Sequence, residues 1–219
     1  GNVEILVDES FSKVLADQID GFKTEYTNAE FKIREGNEQQ IIPTFLNDSV
    51  RVIVLSRMLT KDEDNIYRKR SIVPKTSRFA IDGIALITDQ ENPDSNITVN
   101  EVVEILKGTS ASGKQLVFDN AYSSTLRYFK DLAGINTLPA KGVYTLKTNN
   151  DVIKYIAKNK GMIGVLGVNW LMANADSMSA DLAKVKQMGV KNLKGKKGDD
   201  AFYKPVQANL ISGIYPFLR

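Results

Sequence analysis

Hydroxyl side chains stand at three places where a strand-like run of residues gives way to a helical one. Ser10 and Ser56 each follow a short apolar run, and Ser123-Ser124-Thr125 opens a helical pattern. Hydroxyls donate directional hydrogen bonds, and the backbone N–H groups of a first helical turn attract negative charge. Glu9 and Arg57 stand beside Ser10 and Ser56 and add an acceptor and a bidentate donor. These residue types predict non-covalent capture of a small anion.

Covalent chemistry has little support in the composition. The 219-residue chain contains no Cys and no His, which excludes thiol nucleophiles, Ser-His-Asp triads and the usual zinc sites. An enzyme would need Lys or a carboxylate pair, and Glu9 with Asp119 is the only pair predicted near a cleft. We therefore predict that the protein is not an enzyme and uses no cofactor and no metal.

The charge pattern argues against nucleic acid as a partner. The net charge is only +3, and Lys and Arg are spread along the chain apart from a denser stretch at Lys184–Lys197. That stretch is predicted to be solvated surface. No run of about 18 apolar residues indicates a transmembrane helix.

Strand-like and helical patterns alternate along the chain, which predicts an α/β fold with largely parallel sheets. Capping boxes at Thr60–Glu63 and Thr98–Glu101 mark two helix starts, and Asp8 or Ser10 is a candidate cap for the first helix. Three further expectations concern the later segments. They are a long strand at Arg78–Thr88, a partly exposed, mobile Lys- and Gly-rich stretch at 184–204, and a last strand at Pro205–Ile211.

Five segments together resemble one known family. They are Ile5–Phe11, Ser56–Thr60 with Glu63, Ala80–Ala85 through Asn92-Pro93 and Thr98–Gly108, Ser123–Thr125, and Gly161–Val165 supported by Tyr215-Pro216. In this order they resemble the phosphate-binding proteins of bacterial phosphate ABC transporters, the PstS-like branch of the type 2 periplasmic binding proteins.

The resemblance implies a two-lobed α/β fold with the ligand cleft between the lobes. Residues 1–88 and 170–219 would form lobe I, and residues 89–169 would form lobe II. Two crossover strands, Arg78–Thr88 and Gly164–Val168, would join them.

The resemblance also implies a function, partners and a site. The protein would capture an oxyanion, phosphate above all, and deliver it to the membrane subunits of an ABC permease. It would act as a monomer in the periplasm or on the outer cell surface, with a lipid anchor as one form of attachment and the targeting segment already removed. The implied ligand-binding residues are Glu9, Ser10, Phe11, Ser56, Arg57, Ser123, Ser124, Thr125 and Arg127.

Four positions depart from the family pattern. Asp8-Glu9, Asn37–Gln40, Arg51 and Asp119 stand where the family usually places anion-binding groups. Glu9 is the candidate for the family's carboxylate, and Arg57 or Arg127 for its arginine. The alternative interpretation is a binding or sensory module of the same fold for a different small organic ligand.

Overall fold

The computed structural model describes residues 2–172 and 176–219, which divide into two compact units. The first unit contains the chain up to Ala80 together with Tyr122–Ser124, and the second contains Ile81–Ala121 and Thr125–Arg219. This division groups residues 170–219 with the second unit, whereas the implied lobes group them with lobe I. The lobe boundaries stay a prediction.

The first unit alternates strands and helices around a parallel sheet. Its elements are β1 (Asn2–Asp8), α1 (Ser12–Glu25), β2 (Glu30–Gly36), α2 (Glu38–Leu46), β3 (Val52–Val54) and α3 (Lys61–Arg68). The strand order is β2-β1-β3, and both pairings are parallel. Since side chains alternate across a strand, Ile5 and Val7 pack with Leu15 of α1, while Leu6 packs with Ile41 of α2. Helices therefore cover both faces, as the apolar pattern of β1 predicts.

Helix caps account for several of the turns. The predicted boxes at Thr60 and Thr98 are present, each with the backbone and side-chain bonds of both partners. Asn37 forms a third box with Gln40, in a segment that the sequence indicated only as a turn. The predicted cap of α1 was wrong: its N-cap is Phe11, which makes no side-chain capping bond. Asp8 instead lies at the end of β1, where its carboxylate serves other donors.

The second unit is built on a mixed sheet. Its elements are β4 (Ile84–Asp89), β5 (Asn96–Thr98), α4 (Val99–Lys107), β6 (Gln115–Phe118), α5 (Ser124–Ala133, whose first residue groups with the first unit), β7 (Val143–Thr145), α6 (Asn149–Ile156), β8 (Met162–Gly167), α7 (Val168–Leu171), a 3₁₀ turn (Asp176–Met178), α8 (Ser179–Leu182), β9 (Val185–Gln187), β10 (Gly189–Lys191) and α9 (Gln207–Ile211). The main sheet has the order β7-β6-β8-β4-β9, with β4 antiparallel to both neighbours, and β5 pairs with β10 in parallel.

The predicted strand at Arg78–Thr88 is wrong in its first half, because β4 begins only at Ile84. The chain just before β4 bonds instead to the segment at 217–219: Asp82 N donates to the carbonyl of Arg219 at 3.0 Å, and Arg219 N donates to the carbonyl of Asp82 at 3.0 Å. A Cβ at Gly83 would stand 2.6 Å from a terminal methyl group of Leu210, so a larger residue there would require the Leu210 side chain to move.

Two predictions for the last third of the chain need correction. The Lys- and Gly-rich stretch at 184–204 is partly exposed, as predicted, but it begins with the strands β9 and β10, and Met188 and Val190 within it are buried. Pro205–Ile211 is not a strand: Val206 is the N-cap of α9, and its carbonyl accepts from Leu210 N at 3.1 Å. In both places contacts with distant residues decide the structure that local composition leaves open.

Candidate ligand-binding site

The carboxyl edge of the first unit's sheet carries the polar groups that the sequence singled out. Asp8 ends β1 in register with Gly36, which ends β2, and β3 ends at Val54 alongside Val7. Glu9 N donates to the Gly36 carbonyl at 3.2 Å, which ties the first two loops together. Parallel strands place their carboxyl ends at one edge, and ligands of α/β proteins bind at such edges.

A buried cluster of Asp8, Ser10 and Ser124, here called the Asp8 cluster, lies at this edge. Ser10 N donates to Asp8 Oδ1 at 2.9 Å, and Ser124 Oγ donates to the same oxygen at 3.0 Å. The two hydroxyls lie 3.0 Å apart. Ser124 has one hydroxyl proton and gives it to Asp8, so Ser10 is the donor between them. The structure thus joins Ser10 and Ser124, two residues predicted from separate junctions.

The cluster is fully enclosed within the protein. Asp8 is 0% exposed, and Ser10, Ser123 and Ser124 are at most 2% exposed. A buried carboxylate needs compensation by hydrogen bonds, because its transfer from water is costly. The two groups that donate to Asp8, Ser10 N and Ser124 Oγ, provide part of that compensation.

Two neighbours predicted for the site have other surroundings. Phe11 packs in the core with Ile5, Val7 and Leu15, and is 5% exposed. Glu9 is half-buried, and its carbonyl accepts from Ser12 Oγ at 3.1 Å. The ligand-binding roles of Glu9 and Phe11 stay predictions, and the side-chain position of Phe11 is explained by core packing alone.

Arg57 is the centre of an ion network within the first unit. Its Nε donates to Glu38 Oε2 at 2.9 Å, and its two terminal nitrogens donate to the two oxygens of Glu63 at 2.8 and 2.9 Å. Ser56 Oγ donates to Glu38 Oε1 at 3.3 Å. Glu38, which was not predicted, therefore accepts from both predicted ligand-binding residues of this loop.

Charge pairing changes the titration of this network. The hydrogen bond from Arg57 lowers the pKa of Glu63 to about 2, helped by the backbone N–H of Thr60. The same bond raises the pKa of Arg57 further above its ordinary value. Glu63 thus caps α3 and neutralises Arg57 at once, and the ligand-binding roles of Ser56 and Arg57 stay predictions.

In the second unit, Thr125 stands in the first turn of α5 beside a buried arginine. Arg219 Nη1 donates to Thr125 Oγ1 at 3.1 Å, and Thr125 is 1% exposed. Arg219 Nε donates to Asp82 Oδ2 at 2.9 Å, and the Arg219 side chain is 2% exposed. Because Thr125 accepts this bond, its own proton is directed elsewhere. Asp82 lies two residues before β4 and pairs with Arg219 through its side chain.

Arg127 pairs with a carboxylate of its own helix. Its Nη1 pairs with Asp131 Oδ2 at 2.8 Å, one helical turn along α5, and the two side chains are 30% and 66% exposed. Such i,i+4 pairs on a helix surface stabilise only weakly. The role of Arg127 as the family's arginine stays a prediction, whereas Arg219 already contacts Thr125.

A second buried carboxylate follows β6 in the second unit. Asp119 is 0% exposed and lies 3.4 Å from Asn149 Nδ2, at the start of α6. Within residues 2–172 and 176–219, Asn149 Oδ1 is buried without a hydrogen-bond partner. The sequence singled out Asp119 as a departure from the family pattern and as the possible partner of Glu9 in a carboxylate pair. It did not indicate Asn149, which carries no local signal beyond its place after Thr148.

Other kinds of site receive no support from the described part of the chain. It contains no group of three His, Cys, Asp or Glu side chains that could hold a metal ion. Among its helices none is long and apolar enough to cross a membrane.

Parallel strands with helices on both faces, a mixed second sheet, and polar groups at strand ends define an α/β protein of the type 2 periplasmic-binding class. The chain belongs to the PBP superfamily: the model described as the PBP superfamily domain matches residues 1–219.

Individual relatives agree with this assignment. The chain is 20% identical over 246 residues to the phosphate-binding protein PstS of Pseudomonas aeruginosa, covering 100% of this chain and 70% of that protein. A Clostridium perfringens structure with bound phosphate, described as a phosphate ABC transporter substrate-binding protein, has a TM-score of 0.73 at 19% identity, covering 100% of this chain and 84% of that one. An ABC-type phosphate transport receptor from Vibrio cholerae has a TM-score of 0.65 at 16% identity, with the same coverage.

Proposed function

We propose that the protein is a solute-binding protein that captures phosphate and delivers it to an ABC permease outside the cytoplasm. Its curated and structural relatives are named as phosphate-binding or phosphate-transport proteins. A binding role also suits a chain without Cys or His. A monomeric state and attachment by a lipid anchor belong to the same proposal.

One observation within the chain carries the proposal. At the start of α5, Thr125 is buried and accepts a hydrogen bond from Arg219. A guanidinium, a hydroxyl and the backbone N–H groups of a first helical turn are donor types that suit a tetrahedral oxyanion. Arg219 would therefore take the part of the family's arginine, for which the sequence suggested Arg57 or Arg127.

Isothermal titration of the ligand-free protein with phosphate, sulfate and arsenate tests the proposal. We expect heat with phosphate and arsenate, which share shape and protonation. The absence of heat with all three anions would contradict the oxyanion reading.

A residue-level test uses Thr125→Val, which keeps the shape of the side chain and removes its hydroxyl. Loss of one hydrogen bond to a charged ligand should weaken phosphate binding about tenfold or more. Thr137→Val, at an exposed position, is the matched control and should bind phosphate as the wild type does. Equal affinity in all three proteins would remove Thr125 from the site.

A further inference from the structure

The Asp8 cluster already holds an anion, and that anion is the protein's own. Asp8 Oδ1 accepts from Ser10 N at 2.9 Å and from Ser124 Oγ at 3.0 Å, and the carboxylate is fully buried. Ser10 Oγ in turn bonds to Ser124 Oγ. The backbone N–H and hydroxyl donors at the end of β1 are therefore directed toward a carboxylate and not toward open solvent.

The loop after β3 repeats this arrangement independently. Glu38 accepts from Ser56 Oγ at 3.3 Å and from Arg57 Nε at 2.9 Å, and Glu63 accepts from the rest of the guanidinium. The two groups of donors that the sequence predicted for the first unit are thus both engaged by carboxylates of the same unit.

From these contacts we infer that Asp8 is an internal competitor that sets the affinity and anion selectivity of the site. The inference rests on the proposed function and deepens it. An oxyanion that approaches Ser10 and Ser124 must break their bonds to Asp8 and then lie next to a buried negative charge. Each hydroxyl has one proton to donate, and like charges repel strongly where water is excluded. Asp8 therefore lowers affinity for every oxyanion, including fully ionised sulfate.

A different role for Asp8 makes the opposite prediction. If its carboxylate instead accepted a proton from bound phosphate, neutral replacements would weaken phosphate binding and strengthen only sulfate binding. The competitor role requires that replacement strengthen the binding of both anions. The sign of the change for phosphate separates the two roles.

The experiment compares wild type, Asp8→Ser and Asp8→Asn by titration with phosphate and with sulfate at pH 8. Asp8→Ser removes the charge and releases the donors, so we expect about tenfold or more tighter binding of both anions. Asp8→Asn removes the charge but keeps an acceptor oxygen, so its gain should be smaller. Asp17→Asn, on the exposed side of α1, removes the same charge far from the donors and should change neither affinity. Phosphate binding by Asp8→Ser and Asp8→Asn that is equal to or weaker than wild type would overturn the inference.

Ser124→Ala provides a second measurement when it is made both in the wild type and in Asp8→Ser. Because the Ser124 proton must leave Asp8 before it can reach the ligand, Ser124→Ala should weaken phosphate binding less in the wild type than in Asp8→Ser, which is the signature of coupled residues. Equal losses in the two backgrounds would contradict the inference. If Asp8→Ser fails to fold, the same comparison is made in Asp8→Asn.

The outcomes also separate this inference from the proposed function. Phosphate binding by the wild type without any gain in the Asp8 variants leaves the function intact and removes the competitor role. Binding that appears only after Asp8 is replaced supports the competitor role. No binding by any of these proteins contradicts both.

Discussion

Both units have hydroxyl side chains where strands end or helices begin. The charged groups that these hydroxyls contact are negative in the first unit and positive in the second. In the first unit Ser10 and Ser124 face the Asp8 carboxylate, and Ser56 faces Glu38. In the second unit Thr125 faces the guanidinium of Arg219. A hydroxyl at a junction therefore says little about the charge it will meet, because that charge comes from residues elsewhere in the sequence.

The largest expected loss of stability comes from removing the guanidinium of Arg219. Arg219→Met removes a guanidinium that is 2% exposed from its pair with Asp82, whose side chain is 12% exposed. Breaking a buried pair typically costs about 3–5 kcal/mol in the free energy of unfolding. Urea denaturation of wild type and variant measures the loss. Arg68→Met, the matched control, removes an arginine that is 58% exposed from its pair with Asp64 on the surface of α3, and it should cost at most about 0.5 kcal/mol. Similar losses in both variants would contradict the distinction between the two arginines.

A smaller loss of stability is expected when the contacts of Arg57 with the carboxylates of Glu38 and Glu63 are broken. Arg57→Met breaks a partly buried network and should cost about 1–3 kcal/mol, between the values for exposed and buried pairs. Glu38→Gln breaks only the Glu38 half, so its cost should be lower. Equal costs would mean that the bidentate contact with Glu63 contributes nothing.

The pH dependence of stability tests the contact between Arg57 and Glu63 in a second way. The pKa of Glu63 is lowered to about 2 in the folded protein, so its ionised form stabilises the fold above the unfolded-state pKa, near 4.3. That contribution is lost as the pH falls from about 5 toward 2. Denaturation series across this range should show a shallower acid loss in Arg57→Met than in wild type. Parallel curves would show that Arg57 does not set the titration of Glu63.

The smallest effect concerns a helix cap, far from either charged group. Thr98→Ala removes the side-chain acceptor of the α4 capping box and should cost about 1 kcal/mol without altering phosphate affinity. Thermal unfolding together with phosphate titration checks both parts. A change in affinity would mean that α4 influences the binding groups.

The sequence predicts the strands and helices that form the site better than it predicts which charged residues contact the hydroxyls there. The parallel sheet and the meeting of Ser10 with the first turn of α5 agree with expectations from strand–helix alternation. The sequence did not indicate Asp8 as a hydrogen-bond acceptor for Ser124. Its neighbours suggested a helix cap, and Ser124 lies 116 positions away. Arg219 and Asp82 are separated by 137 positions, so no local pattern could have paired them.

The errors at 184–211 have a similar cause. Lysines there suggested exposure, but Val190 is buried because β10 pairs with β5 at Ile97. Side-chain charge at alternate positions does not prevent a strand from burying its other face.

The pairing of Asp82 with Arg219 also bears on the order in which the protein folds as it is synthesised. Their backbones exchange two hydrogen bonds, and Tyr215 in the same late segment donates its hydroxyl to the carbonyl of Ile84. The start of β4 therefore cannot form these contacts until residues near 219 have left the ribosome. The parallel sheet of the first unit needs no residue after β3. Closing so long a loop is slow, since contacts distant in sequence lower folding rates. The first unit can begin to fold during translation, whereas the second must remain open until its final strand partners arrive.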